Sequence, residues 1–161
     1  MQLRNHVEWA LHCAAVLAAL PEGHYLAARH LAELHGVPRE YLAKALQALS
    51  QAGLVETTLG PTGGYRLARA PHAITFLDIV EAVEGKASSF ECTEIRKNNP
   101  CRAKNTRPIK PCSIAAVMWK ADKAWRDSLR ETRLSDLIGM VQNEVDPETL
   151  KKTIIWISER I

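Results

Sequence analysis

The sequence lacks any uninterrupted apolar run of about 18 residues, the length that a membrane-spanning helix requires. Its first residues, MQLRNHVEWALHC, place Glu8 and His12 inside the apolar stretch and contain no small-residue cleavage site. This pattern differs from a secretory signal, whose apolar core carries no charge. We therefore expect a cytoplasmic protein without a membrane partner.

Catalytic motifs are also absent. No nucleophile, base and orienting group stand in an arrangement typical of an active site, and neither a phosphate-binding loop nor an internal repeat occurs. The composition is that of an ordinary globular chain of 161 residues, 47% hydrophobic and 24% charged. This length suits one domain, or a small domain with an appended dimerisation arm. The sequence does not predict an enzyme.

The net charge of +3 is unevenly distributed. Residues 1–85 carry six Lys and Arg against eight Asp and Glu, and residues 113–161 carry eight of each sign. Residues 86–112 carry seven basic and two acidic side chains, and they hold three of the four cysteines. A basic segment by itself is often a solvated loop. Because this one is long, aperiodic and rich in cysteine, a functional role is favoured.

Three apolar-periodic segments predict helices over residues 7–20, 26–34 and 39–51. Gly36 ends the second segment, and Pro38 suits the start of the third. Three helices with a short Gly-containing turn between the second and third are typical of a helix-turn-helix.

A hairpin is predicted directly after the third helix. Residues 54–58 and 65–68 are short strand candidates, and the Gly- and Pro-rich run LGPTGG joins them. A hairpin that follows a recognition helix is a wing. We therefore expect a mainly α fold, a winged helix-turn-helix with a small β-hairpin wing.

Four further helices are predicted over residues 76–83, 113–130, 134–142 and 147–160, the first of them capped by Thr75. The helix over 113–130 is long and has an apolar face that must be buried. A twofold-related copy is the simplest partner, so this is the predicted dimerisation helix. Its apolar face consists of Ile114, Val117, Met118, Ala121, Ala124, Trp125 and Leu129.

Two runs resemble a known family. GLVETTLGPTGGYRLARAPHAITFLDIVEAVEG is similar to the wing and linker of the Rrf-type bacterial regulators, the IscR/NsrR/RsrR family, and YLAKALQALSQAGLV resembles their recognition helix. The resemblance covers nearly all of residues 1–130. It implies a homodimeric transcription regulator that binds double-stranded operator DNA. Many members hold an iron–sulfur cluster on loop cysteines and a residue of the partner's first helix, and others hold none.

The resemblance divides the chain into three parts. Residues 1–85 are the expected winged helix-turn-helix DNA-binding domain, residues 86–112 the cluster-binding loop, and residues 113–161 the dimerisation helix with the C-terminal helices.

The loop cysteines Cys92, Cys101 and Cys112 are separated by eight and ten residues, more widely than in the better-known members. The fragments VEWALHC, FECTEIR and PCSIAAVM resemble instead the redox-sensing RsrR branch. In that branch two loop cysteines of one subunit and a glutamate and a histidine of the other hold a [2Fe–2S] cluster. The matching positions here are Cys101, Cys112, Glu8 and His12.

Elementary chemistry agrees with this ligand set. Thiolates are the usual ligands of iron–sulfur clusters, and histidine can replace cysteine on one iron. Glu8 and His12 are four residues apart, so they share one helical face. Cys112 precedes the long helix, whose free N–H groups and positive dipole end favour a thiolate. The basic loop offsets the negative charge of the ligands.

Alternatives remain open for the other cysteines and for the metal. Cys13 falls on the apolar stripe of the first helix, so we interpret it as a buried core thiol. Cys92 is either a spare thiol or a third thiolate of a [4Fe–4S] site with Glu8. Zinc accepts the same ligand types. A cluster-free or zinc-bound regulator that acts through protein–protein contacts is therefore the alternative function.

The third helix supplies the candidate DNA contacts on the major-groove side. Arg39 is the candidate for a guanine edge, because a bidentate Arg–guanine contact is the commonest specific pairing. Tyr41 and Lys44 are expected to meet phosphates, which position the protein without specifying sequence.

The wing supplies a second set of candidate contacts. Gly63 and Gly64 are expected to allow close backbone approach to the duplex, and Thr58 and Thr62 are candidate wing contacts. Family members often carry an arginine just before the first wing glycine. Here that position is Leu59.

Overall fold

A computed structural model of the chain describes residues 3, 5–61, 63–103 and 110–161. Its α-helices and strands are α1 (Asn5–Ala18), α2 (Ala28–His35), α3 (Arg39–Gln51), β1 (Val55–Thr58), β2 (Gly64–Leu67), α4 (Phe76–Glu84), α5 (Ser113–Glu131), α6 (Leu134–Glu144) and α7 (Pro147–Ser158). β1 and β2 form an antiparallel hairpin directly after α3. The prediction of a mainly α winged helix-turn-helix is confirmed.

Several helix ends follow from local sequence signals. Pro38 precedes α3, which spans the predicted residues. Thr75 caps α4 reciprocally: its hydroxyl accepts from the Asp78 N–H at 3.1 Å, and the Asp78 carboxylate accepts from the Thr75 N–H at 2.8 Å. Gly36 ends α2 in the left-handed conformation, at φ 62°, which glycine adopts without a steric penalty.

The start of α2 was predicted two residues too early. Leu26 forms an antiparallel bridge with Tyr65 of the wing, through backbone hydrogen bonds of 3.0 and 2.9 Å. Its backbone is thereby held extended, and the helix begins only at Ala28. Residues 26–27 thus join the wing to the helix-turn-helix.

The described chain divides into two compact units, Ala87–Ser128 and the residues before and after it. The larger unit has one apolar core, formed by α1 to α4, α6 and the base of the hairpin. Its largest fully buried side chains are Leu26, Leu31, Leu42, Leu46, Leu49, Ile74, Ile79, Leu134 and Cys13.

The C-terminal segment is part of the larger unit. Leu134, which begins α6, is fully buried and donates its N–H to the Ile74 carbonyl at 2.9 Å. Phe76 donates its N–H to the Thr132 carbonyl at 2.9 Å. In α7, Ile157 is buried. Helix α6 therefore completes the core that supports the helix-turn-helix.

The smaller unit consists of an irregular loop and most of α5. Ser89 donates its N–H to the Asp122 carboxylate at 3.2 Å, and Arg126 donates to the same carboxylate at 2.9 Å and to the Ala87 carbonyl at 2.7 Å. Of the described residues in α5, only Ala115 is fully buried. Several of its apolar side chains are exposed, with Ile114 at 69% and Val117 at 68%, whereas Trp125 and Leu129 are half-buried. No helix in the described part of the chain is long and apolar enough to span a membrane.

Candidate nucleic-acid interface and cluster ligands

Helix α3 separates its buried and exposed side chains by helical periodicity. Leu42, Ala45, Leu46 and Leu49 enter the core. Arg39, Tyr41 and Lys44 lie on the exposed side. The Lys44 ammonium is 5.7 Å from the centroid of the Tyr41 ring, so the two form a cation–π pair. The three predicted DNA contacts of the helix are thus available to a ligand.

Close backbone packing explains why positions 63 and 64 of the wing are glycine. A Cβ on Gly63 would lie 2.5 Å from the Thr58 carbonyl oxygen, and one on Gly64 would lie 2.4 Å from the Leu26 carbonyl. Both obstacles are backbone atoms, which cannot move aside cheaply. A role of these glycines in approaching DNA stays a prediction. Thr58 is exposed at the end of β1; Thr62 lies outside the described residues.

A cavity of about 410 Å³ lies between the wing and the first turns of α2 and α3. Both Arg29 and Arg39 line it, together with wing residues 57–61 and 63–65. Arg29 is exposed, and its Nε donates to the His30 ring at 3.2 Å. Sequence reasoning missed Arg29, because nothing in the local sequence indicates that the wing folds back beside α2.

Glu8 and His12 are both exposed on α1. They line the same apolar cavity of about 210 Å³, together with Leu11, Ala15, Phe76, Leu137 and Val141. The two side chains therefore share one helical face, as their spacing predicts. They present a carboxylate and an imidazole beside an apolar surface.

His12 also contacts the helix-turn-helix. Its ring centroid is 5.5 Å from that of His35, the last residue of α2. The pKa of His35 is lowered, first by burial and second by the nearby His12. The His35 Nε2 has no hydrogen-bond partner among the described residues. A neutral imidazole at the end of α2 thus lies against the candidate ligand, a contact that the sequence does not indicate.

Cys112 occupies the position directly before α5. The pKa of its thiol is lowered, chiefly because the Ala115 N–H donates to the sulfur; the Ile114 N–H and the Arg96 guanidinium act in the same direction, and partial burial opposes them. The N-terminus of a 19-residue helix thus stabilises the Cys112 thiolate.

Arg96 interacts electrostatically with two of the loop cysteines, Cys112 and Cys92. Its guanidinium pairs with Glu94 and donates to the Lys110 carbonyl at 3.0 Å. The pKa of Arg96 is raised first by the hydrogen bond with Glu94, and negative charge at Cys112 and Cys92 contributes further. Arg96 therefore shares one charge environment with both cysteines, and sequence reasoning had counted it only within the basic segment.

The other two cysteines have contrasting surroundings. Cys101 is exposed, and its backbone N–H donates to the Asn99 side-chain oxygen at 2.9 Å. Cys13 is fully buried, and burial raises its pKa to about 12. The prediction of a core thiol at Cys13 is confirmed. Among the residues that the structure describes, no three His, Cys, Asp or Glu side chains are grouped closely enough to hold a metal ion.

A family model described as an iron-dependent transcriptional regulator, Rrf2, matches residues 3–140. The chain belongs to the Rrf2 family. It is a DNA-binding transcription regulator and not an enzyme. The regulator NsrR of Halalkalibacterium halodurans is 28% identical over 152 residues, which cover 94% of this chain and 98% of the relative. NsrR of Shouchella clausii is 27% identical over 139 residues, covering 86% and 89%.

Solved structures share the fold of this Rrf2 chain. CymR of B. subtilis, whose structure is described as that of the global cysteine regulator, has a TM-score of 0.68 at 24% identity, covering 87% of this chain and 98% of CymR. IscR of T. potens has a TM-score of 0.67 at 20% identity, covering 91% and 93%. At these identities the likeness supports the winged-helix fold alone.

Proposed function

We propose that the chain is a homodimeric operator-binding regulator, most simply a repressor, whose DNA affinity depends on a [2Fe–2S] cluster. The ligands are Cys101 and Cys112 of one subunit and the partner subunit's Glu8 and His12. The observation that carries the proposal is the pairing of Glu8 and His12 on the exposed face of α1, beside an apolar cavity. Membership of the RsrR branch of the family is part of this proposal.

The donor chemistry fits such a cluster. Cys112 has a thiol of lowered pKa at the N-terminus of α5, and Cys101 is an exposed thiol of the same loop. Thiolate, imidazole and carboxylate are all ligands that iron accepts, and a histidine ligand raises the potential of a [2Fe–2S] centre. In this proposal, two ligands come from each subunit.

The apolar side of α5 supports the dimer. Ile114, Val117 and Met118 expose between 39% and 69% of their surface in the single chain. A contiguous apolar face of this kind is typical of a protein–protein interface. A second copy of α5 would cover it isologously, as in most homodimers.

Helix α1, which carries the candidate ligands Glu8 and His12, packs against the predicted DNA-reading helix α3. The bound cluster supplies a one-electron redox change. Glu8 and His12 project from α1, whose buried face packs against α3. His12 in addition contacts His35 at the end of α2. A shift of α1 therefore displaces α2 and α3 relative to the partner's recognition helix. The spacing between the two recognition helices of the dimer must match one turn of DNA, roughly 34–36 Å.

Anaerobic purification of four cysteine variants tests the ligand set. Cys101→Ala and Cys112→Ala are expected to lose iron, sulfide and visible absorbance. Cys92→Ala is expected to retain them, and Cys13→Ala serves as the control for general loss of a thiol. His12→Ala is expected to shift the cluster potential or stability and to uncouple redox state from operator affinity. A Cys101→Ala protein with full iron and sulfide content would refute the assignment.

A second candidate is a [4Fe–4S] site with three thiolates and Glu8, for redox or nitric-oxide sensing. It is favoured by Arg96, whose charge environment includes both Cys92 and Cys112. Loss of the cluster in Cys92→Ala together with its retention in His12→Ala would support this arrangement. Zinc in the anaerobic protein, without sulfide, would instead support the zinc-bound regulator that acts through protein–protein contacts.

Sedimentation tests the dimer. Val117→Asp places a charge in the exposed apolar face of α5 and is expected to give monomers or aggregates. Lys120→Glu, on the same helix, changes a charge that is already exposed and is the matched control. A folded wild-type monomer at micromolar concentration would contradict the dimer and the shared site together.

A further inference from the structure

Leu59 is the most exposed of the large hydrophobic side chains in the described part of the chain, at 96%. It follows β1 at the turn of the wing, directly before Gly60 and Pro61. A single exposed leucine is unremarkable on a flat surface. Leu59 lies at the turn of the hairpin with nearly its whole side chain accessible, so it is free to contact a ligand.

The turn that carries Leu59 is closed on itself. The Gly63 N–H donates to the Gly60 carbonyl at 3.0 Å, and the space for a Cβ at Gly63 is filled by the Thr58 and Leu59 backbone. At its base the wing is tied to Leu26 by two backbone hydrogen bonds. Because these contacts restrain the backbone near Leu59, less conformational entropy is lost when the leucine meets a ligand.

The surroundings of Leu59 indicate what that ligand is. Leu59 lines the cavity of about 410 Å³ that also contains Arg29 and Arg39. Two guanidinium groups in a cleft between a recognition helix and a wing suit one phosphate strand of DNA. With α3 in the major groove, that strand is the backbone that separates the major groove from the adjacent minor groove. The wing tip then crosses the strand and reaches the minor groove.

We propose that Leu59 enters the minor groove of the operator as an apolar wedge against a base step, and that it bends the DNA there. Leucine is among the side chains that other minor-groove proteins insert between bases. The contact differs from an arginine in the same place, because it adds no charge and gains its free energy from apolar burial and deformation. It favours flexible pyrimidine–purine steps, which kink most easily.

The test uses duplexes selected from a random pool by the full-length wild-type protein, prepared anaerobically. End-to-end energy transfer on a selected duplex of about 30 base pairs reports bending, because an unbound duplex of this length is far shorter than the persistence length and stays nearly straight. Leu59→Ala is expected to reduce the bend and to weaken binding about 5- to 30-fold, since most of the buried apolar side chain is lost. Leu59→Met, which retains an apolar side chain of similar size, is expected to stay close to wild type.

Two further variants make the outcome specific. Ile154→Ala removes another exposed apolar side chain, on α7, and is expected to change neither bend nor affinity. Leu59→Arg is expected to lose the bend and to steepen the salt dependence by about one phosphate contact.

Unchanged bend and affinity in Leu59→Ala overturn the wedge, and point to a protein rather than DNA as the ligand of this side chain. Failure of the wild-type protein to enrich any duplex would overturn the DNA-binding function itself, so the two failures are distinguishable.

Discussion

Gly64 of the wing lies directly against the backbone of Leu26: a Cβ added to Gly64 would be 2.4 Å from the Leu26 carbonyl carbon and oxygen. Gly64→Ala must therefore separate the wing from the segment before α2. We expect a loss of about 1–3 kcal/mol in the free energy of unfolding, typical of overpacking against atoms that cannot yield. Weaker DNA binding should accompany it. Chemical denaturation and operator titration measure the two effects.

Gly139 is the matched control for that substitution. It lies inside α6, and a Cβ there would meet nothing within 4 Å. Gly139→Ala should stabilise the protein by about 0.5–1 kcal/mol, because alanine loses less backbone entropy in a helix. Equal destabilisation by both substitutions would mean that close approach to Leu26 is not the reason for glycine at position 64.

Substitution of Arg39 and substitution of Lys44 should affect DNA binding in different ways. Arg39→Ala is expected to cost roughly 1–3 kcal/mol of specific binding and to relax preference at one base pair, as a lost bidentate base contact does. Lys44→Ala should weaken binding to all sequences alike and flatten the salt dependence, as a lost phosphate contact does. Titration of selected and random duplexes at several salt concentrations separates the two. Equal loss on both duplexes in Arg39→Ala would make Arg39 a phosphate contact.

The thiols of the cluster-free protein should differ widely in alkylation rate. Cys112 has a lowered pKa and a larger thiolate fraction near neutral pH, so iodoacetamide should modify it early. Cys13 is fully buried with a pKa raised to about 12, so it should react only after unfolding. Peptide mass spectrometry over time, with and without denaturant, gives the order. Early modification of Cys13 in the folded protein would contradict its place in the core.

The lowered pKa of Asp122 predicts that its contacts in the smaller unit are sensitive to acid. Its pKa is lowered from 3.8 to about 2, first by hydrogen bonds with Ser89 and second by Arg126. A carboxylate of depressed pKa stabilises the folded state above its unfolded pKa, and that stabilisation is lost as the pH falls through the folded pKa. Asp122→Asn should therefore be less stable than wild type at neutral pH, and the difference should shrink between pH 4 and 2.

Asp127→Asn is the comparison for Asp122. Its carboxylate pairs with Lys123, whose side chain is 76% exposed, and exposed ion pairs contribute little. A pH-independent difference between wild type and Asp122→Asn would show that the carboxylate charge does not hold the contact.

Much of the fold is encoded in local signals. Pro38 and the apolar spacing of Leu42, Leu46 and Leu49 define α3, and Thr75 with Asp78 defines the start of α4. Each signal acts within about one helical turn, through a cap or an apolar face, so it can be read without knowledge of distant residues.

The candidate site was only partly predictable, because only those of its features that depend on local sequence can be read in this way. The spacing of Glu8 and His12 places both on one face of α1, and the place of Cys112 before α5 predicts its stabilised thiolate. His35, Arg96 and Arg29 were not predicted as neighbours of these groups, since contacts between separate segments depend on how the elements pack.

The sequence by itself determined the helix-turn-helix, the wing, the burial of Cys13 and the family. Only the tertiary structure decided that Leu26 pairs with Tyr65, which delays α2 until Ala28. It also decided that Arg29 joins Arg39 and Leu59 around one cavity. The physical reason is the same for both: helical periodicity and capping are local, whereas a hairpin that folds back on a distant segment satisfies backbone hydrogen bonds whose partners no local pattern specifies.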